Sequence, residues 1–268
     1  VDTTTPPPAP TSTGALPAYD DLGGGERTWL LLHAFPLSGR IFERLAPLLA
    51  KDARVLVVDL PGLGRSAVPT EEASMDHVAA ALLAVLDAAG VERADVLGIS
   101  TGGYAALRLA GLAPERVGRL VLASTTPWPI EPDVPAERRA TAEEVETSRS
   151  TTSLLDSVEG GLGPTARREQ PGLADLVRGL ILGADPDGVA WVARAVAGRP
   201  DTSAVVAGHP REVVLLFGEE DGETPPERAT QMARLRPDHL PTSLHVLPAT
   251  GHLTVLERPA EVAALLGG

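Results

Sequence analysis

The chain predicts an α/β architecture: a mostly parallel central sheet flanked by helices, with a helical insertion. Short apolar runs alternate with amphipathic stretches along the sequence. The runs are continuously apolar rather than alternating, as in strands buried on both faces, which belong to parallel sheets covered by helices. With 268 residues, 43% of them hydrophobic, the chain is long enough to bury a sizeable core without staples.

The elements follow in order. Residues 1–15, rich in Pro and Thr, lack apolar periodicity and read as a disordered tail. This tail has no basic start and no apolar core of a secretory signal, so the expected location is the cytoplasm. Residues 29–33 form a first strand and 38–50 a helix with Ile41, Leu45, Leu48 and Leu49 at helical spacing. Residues 55–59 form a second strand. The stretch 74–90 is a helix capped by Ser74, lined by Val78, Ala81, Leu82, Val85 and Leu86, and stopped by Gly90. Residues 94–99 are a third strand, 104–113 a helix and 119–123 a fourth strand. The alternation resumes with a strand at 212–217, a helix at 226–235, a strand at 243–247 and a helix at 259–266.

Residues 128–210 break the pattern. They carry Pro and Gly interruptions and short helical pieces, clearest at 137–148 and 188–197, and no convincing strand. This segment is expected to be a helical lid inserted into a core made of 16–127 and 211–268. In parallel sheets ligands bind outside the carboxyl ends of the strands, so the residues that follow each strand are where function should lie.

Composition removes several classes. With no cysteine, disulfide scaffolds, Cys-ligated zinc, iron–sulfur clusters and a cysteine nucleophile are excluded. A net charge of −13 argues against nucleic-acid binding, which rests on clustered Lys and Arg. Lys51, the sole lysine, lies in no phosphate-binding loop. No apolar run reaches membrane-spanning length. Gly62-Leu-Gly-Arg-Ser-Ala67 mimics a dinucleotide fingerprint, but Pro61 and Pro69 leave no helix to receive a pyrophosphate. No histidine spacing suggests a metal, and the acidic pairs Glu143-Glu144 and Glu219-Glu220 read as solvated faces.

Chemistry gathers at the third strand. Gly98-Ile-Ser100-Thr-Gly102 is G-x-S-x-G between a strand and a helix. A serine on such a sharp turn projects its Oγ clear of the backbone, and the helix start offers free N–H groups to a developing oxyanion. A serine nucleophile needs a base. Among six histidines, His77 and His245 lie inside elements, His209 and His239 in Pro-flanked loops, and His33 suits a structural role. His252, on the glycine-bearing loop after the last strand, is the candidate. Its orienting carboxylate is sought in Gly218-Glu-Glu-Asp221-Gly-Glu223, where Asp221, short and followed by Gly222, suits an inward turn.

The order Ser100, Asp221, His252 is that of the α/β-hydrolases, and other segments resemble the same family. His33-Ala-Phe-Pro36 is similar to its His-Gly-x-Pro turn, and Asp59-Leu-Pro-Gly-Leu-Gly-Arg-Ser66 to its Asp-x-Pro-Gly-x-Gly-x-Ser segment. Gly251-His252-Leu-Thr-Val-Leu-Glu257-Arg-Pro259 resembles its terminal histidine segment, and Arg199-Pro-Asp-Thr202 a segment of its esterase and enol-lactonase branch. The resemblance covers residues 16–268. It implies an oxyanion hole made of the backbone N–H groups of Phe35 and Thr101. Ala34 stands where the family usually has glycine, so that turn is expected to be slightly reshaped. The implied activity is hydrolysis of a small ester or lactone, with no metal or organic cofactor. Rival readings are thioester, amide or carbon–carbon cleavage or perhydrolysis on the same triad, or a non-catalytic ligand binder. Trp128 and Trp191, two of three tryptophans, are candidate walls of the substrate pocket.

Overall fold

Residues 14–129 and 134–267 are described by the structure, a computed structural model; of the expected tail, all but Gly14 and Ala15 lies outside them. A strand the apolar pattern did not signal comes first. β1 (Tyr19–Gly23) is a polar edge strand that runs antiparallel to a neighbour. β2 (Thr28–Leu32) follows and is buried along its whole length.

The helix expected over 38–50 is two pieces. A 3₁₀ turn, Gly39–Phe42, is capped by Ser38, and α1 (Ala46–Leu49) follows it. Pro47 brings no N–H to a continuous helix and suits the start of a new one. Next come β3 (Arg54–Val58), α2 (Met75–Ala88), β4 (Ala94–Ile99), α3 (Thr101–Leu112) and β5 (Val117–Ala123). Ser74 caps α2 by accepting the His77 N–H.

Between β5 and β6 the described residues are helical and hold no strand. They form α4 (Val134–Ser148), α5 (Ser157–Gly161), α6 (Pro164–Glu169), α7 (Pro171–Leu182), α8 (Pro186–Ala197) and α9 (Ser203–Gly208). The chain closes with β6 (Val213–Gly218), α10 (Glu227–Ala233), β7 (Thr242–Leu247), α11 (Thr254–Glu257) and α12 (Pro259–Leu266).

The sheet has seven strands in the order β1-β3-β2-β4-β5-β6-β7, and every pairing except β1–β3 is parallel. Two cores flank it. Leu30, Leu32, Leu56 and Val58 pack with α2, α3 and α8 on one face. Trp29, Leu31, Val55 and Val57 pack with α1, α7, α11 and α12 on the other. Successive residues of one strand thus enter opposite cores, which is why the strands read as unbroken apolar runs. After β2 the chain adds β3 on one side, and later strands grow on the other. The crevice of such a sheet opens at that switch point, beyond the carboxyl ends of β2 and β4.

Candidate active site

Ser100 stands at the switch point. It follows β4, stands at the N-terminal end of α3 without a side-chain capping bond, and is held at φ 53°, ψ −116°. Non-glycine residues avoid this region, and strain of this kind clusters at functional sites. Its backbone is fixed on both sides: its N–H donates to Ala123 O at 2.9 Å, and its own carbonyl accepts from Thr125 Oγ1 at 2.8 Å. The flanking glycines are sterically required. A Cβ at Gly98 would lie 2.3 Å from Gly102 O, and one at Gly102 would lie 2.1 Å from Leu32 O. The start of α3 is therefore in close backbone contact with the end of β2, and the turn after β2 is brought beside the serine.

That turn is closed by the Leu37 N–H on Ala34 O at 2.9 Å. Ala34 takes no left-handed angle and is buried, so alanine fits where the family usually has glycine. His33 secures the turn from below. Its Nε2 accepts the Leu60 N–H at 2.9 Å, so Nδ1 carries the proton and donates to Ala34 O at 2.9 Å. Burial pushes the His33 pKa below its ordinary value, partly offset by the Ala34 carbonyl and the Asp59 charge.

The candidate base, His252, and its candidate carboxylate, Asp221, come from the far side of the sheet. β6 and β7 end in register, Gly218 opposite Leu247. The loop after β7 folds back across the end of β6, so closely that a Cβ at Gly218 would lie 2.2 Å from both Thr250 O and Gly251 O. This fold-back carries His252 towards Ser100. Asp221 turns inward: Oδ1 accepts the N–H groups of Glu223 at 3.0 Å and Thr224 at 2.8 Å. Both its oxygens lie 3.0 Å from His252 Nδ1. Asp221 and His252 are both buried. A carboxylate in this position fixes Nδ1 as the protonated nitrogen and leaves Nε2 as the acceptor.

Two other acids of this loop have partners of their own. Glu219 accepts the Ala249 N–H at 3.1 Å. Glu220 is not a solvated face. It accepts the Thr165 N–H at 2.9 Å and its hydroxyl at 2.6 Å, and these two bonds hold its pKa low. Glu223 lies against Gly160 of α5.

Ser100, Thr101, Phe35 and His252 line one cleft of about 110 Å³. The helical insertion supplies its other walls, with Leu154, Val177 and Ile181 apolar and Arg138 charged. α3 begins at Thr101, earlier than periodicity suggested, so the Thr101 N–H is at the first helical position and has no intrahelical acceptor.

The two tryptophans do not line this cleft. Trp191 is buried in the core between the sheet and α8, where its indole N–H donates to Glu71 O at 2.9 Å and its ring meets His77 edge-on. Trp128 packs against the same core, with the Arg228 guanidinium 5.9 Å from its ring centroid. His209 is likewise no solvated loop residue. It is buried and bonded to Gly118 O at 2.8 Å.

Sequence reasoning missed Arg138, Glu223 and Glu257 as parts of the site. Glu257 is buried, and its Oε2 accepts the Gly251 N–H at 2.8 Å, one residue before His252. It also reaches the Gly163 N–H at the start of α6, at 3.4 Å. Burial raises its pKa, opposed by the N–H groups of Gly251, Gly163 and Leu253 and the Arg258 charge. Its sequence signal is its place in the segment that resembles the family's terminal histidine segment, five residues beyond His252.

Residues 29–259 match the model of the alpha/beta hydrolase fold family. The chain belongs to the α/β-hydrolase family. A pimeloyl-[acyl-carrier protein] methyl ester esterase of Photobacterium profundum is 28% identical over 88% of this chain and 92% of its own. A 2-hydroxymuconate semialdehyde hydrolase of Pseudomonas is 31% identical over 82% of this chain and 77% of its own. Among solved structures, a thermophilic esterase of Thermogutta terrifontis with malate bound superposes with a TM-score of 0.89. It is 30% identical, covering 93% of this chain and 91% of that one. Other relatives match in part. An acetyltransferase component of the acetoin cleaving system of Pseudomonas putida aligns over 30% of its length.

Proposed function

We propose that this α/β-hydrolase cleaves a small carboxylic ester or lactone through an acyl-enzyme. The observation that carries the reading is the buried Asp221–His252 pair, 3.0 Å apart, sharing a cleft with a serine held at a strained turn. Names of relatives point the same way: they include esterases, and a solved neighbour at 26% identity is described as degrading an N-acyl homoserine lactone.

In this reading the Ser100 Oγ attacks the substrate carbonyl carbon while its proton passes to His252 Nε2. Asp221 keeps the imidazole in the accepting tautomer and stabilises its cationic form. The carbonyl oxygen, now anionic, is held by the N–H groups of Thr101 and Phe35, and losing one such donor typically costs about 100–1,000-fold in rate. The C–O bond breaks, the leaving alkoxide takes the proton from His252, and the acyl group stays on Ser100. Water then gives its proton to His252 and its oxygen to the acyl carbon, which frees the acid and restores the serine.

Fluorophosphonate labelling with peptide mapping, beside a p-nitrophenyl ester assay, tests this. The label is expected on Ser100, and both signals are expected to vanish in Ser100→Ala. A Ser100→Ala protein that keeps full esterase activity overturns the assignment. Folded wild type that neither labels nor turns over ester favours a binding protein, which a ligand would stabilise without turnover.

A further inference from the structure

The cleft is lined by one cation and one carboxylate that do not pair, Arg138 and Glu223. Arg138, on α4, lines it and sets its guanidinium carbon 5.8 Å from the Phe35 ring centroid. Among the described residues no carboxylate lies within ion-pair distance of Arg138, nor of its exposed neighbour Arg139, whereas Arg194 pairs with Glu146 at 2.5 Å and Arg149 with Asp187. A second cation stands within its field. Arg199, 9% exposed, stacks 3.9 Å above the Tyr104 ring centroid and donates to Trp128 O at 2.7 Å. Its Nη1 is buried without a partner, and the charge acting on it from the insertion is the repulsive one of Arg138. The cleft's carboxylate, Glu223, lies at the α5 end against Gly160, unpaired with Arg138.

In a protein of net charge −13, acids are abundant, yet none of the described ones neutralises this end of the cleft. A guanidinium that lines a cleft with no carboxylate within ion-pair distance is matched by an incoming anion. A guanidinium matches a carboxylate with two parallel hydrogen bonds, the strong form of such contacts. Leu154, Val177, Ile181 and Leu253 give the cleft an apolar wall and its volume is small, which suits a short chain.

We propose that Arg138 is an anion subsite, and that the substrates preferred here are short esters carrying a free carboxylate, bound with that carboxylate at the Arg138 end and away from Glu223. The inference rests on the reading of Ser100 as the nucleophile. Its test compares kcat/KM for monoethyl succinate and ethyl butyrate, which differ at the chain end, by pH-stat titration. Wild type is expected to favour the succinate ester by about tenfold or more, the size of a charge-assisted pair. Arg138→Gln is expected to lower that ratio by about tenfold or more, chiefly through KM, and Arg138→Lys to retain part of it. The exposed neighbour Arg139 controls for general charge: Arg139→Gln should leave the ratio unchanged. Added salt should shrink the wild-type ratio.

A wild type that prefers ethyl butyrate, or an Arg138→Gln protein with an unaltered ratio, overturns the subsite while leaving the Ser100 reading intact. If instead Ser100 takes no fluorophosphonate and neither ester is hydrolysed, the reaction reading fails, and succinate itself decides the subsite. It should then raise the Tm of wild type and not of Arg138→Gln; equal shifts, or none, overturn it.

Discussion

Glu257 and Gly251 are joined by a hydrogen bond of 2.8 Å from the glycine N–H to the buried carboxylate, directly before His252 in the chain. The same carboxylate reaches Gly163, and a Cβ on Gly251 would lie 2.1 Å from the Gly163 nitrogen. One side chain thus fastens the histidine loop and the insertion together. Glu257→Ala should leave those N–H groups without acceptors in a buried place, at about 1–3 kcal/mol for each group left unpaired. The expected result is a lower Tm and a kcat reduced more than KM is changed, because the loop that carries His252 loosens. Glu257→Gln keeps one acceptor oxygen and should fall between. Thermal unfolding and steady-state kinetics on both variants check this, and a Glu257→Ala protein as stable and active as wild type contradicts it.

Under the proposed reaction, Ser100 sets activity against stability. Its φ of 53° carries about 1–3 kcal/mol of strain. Glycine relieves that strain but costs about 0.5–1 kcal/mol of chain entropy. Ser100→Gly is therefore expected to gain about 1 kcal/mol, a Tm rise of about 2–4 °C for a chain of this size, while losing ester turnover. Gly102→Ala should act in the opposite direction. Its Cβ would meet the Leu32 carbonyl, and a backbone cannot step aside as a side chain can, so a loss of more than about 3 kcal/mol is expected. Calorimetry on the two variants reads both signs.

These glycines also explain how much of the molecule was legible. Gly98 and Gly102 are demanded by backbone contacts within a short stretch of chain, so the serine turn leaves a local signature. The central strands were equally plain, because Leu30 and Leu31 enter different cores and both must be apolar. β1 left no such trace: Asp20 and Asp21 on an edge strand look like loop. The Trp191 position depends on a carbonyl at Glu71, far away in sequence, and no local pattern encodes it. Arg138 sits in a helix rich in charge, where one more arginine carries no mark. The acid loop was partly readable. Gly222 pointed to an inward Asp221, but the bonds of Glu220 to Thr165 need the insertion folded in place.

His33 links acid sensitivity to the turn beside the serine. It is fully buried, neutral and bonded at both ring nitrogens, with a folded pKa below the ordinary 6.5. His209 is buried and shifted in the same direction, chiefly by desolvation. A base whose pKa is depressed on folding binds protons more readily when unfolded. Its stabilisation is complete above pH 6.5 and is lost as pH falls from there towards the folded value. Each histidine can contribute a slope of up to about 1.4 kcal/mol per pH unit in that window. Wild type is therefore expected to lose stability on acidification below pH 6.5, before the ordinary carboxylate range is reached. A His33→Gln variant, whose amide can donate to Ala34 O and accept from Leu60, should start lower in stability but show a flatter profile over the same range. Urea unfolding at pH values on either side of 6.5 measures the slope directly. Parallel profiles for wild type and His33→Gln would mean that His33 is not protonated in this window on unfolding, and that the acid sensitivity belongs to His209 or to the carboxylates.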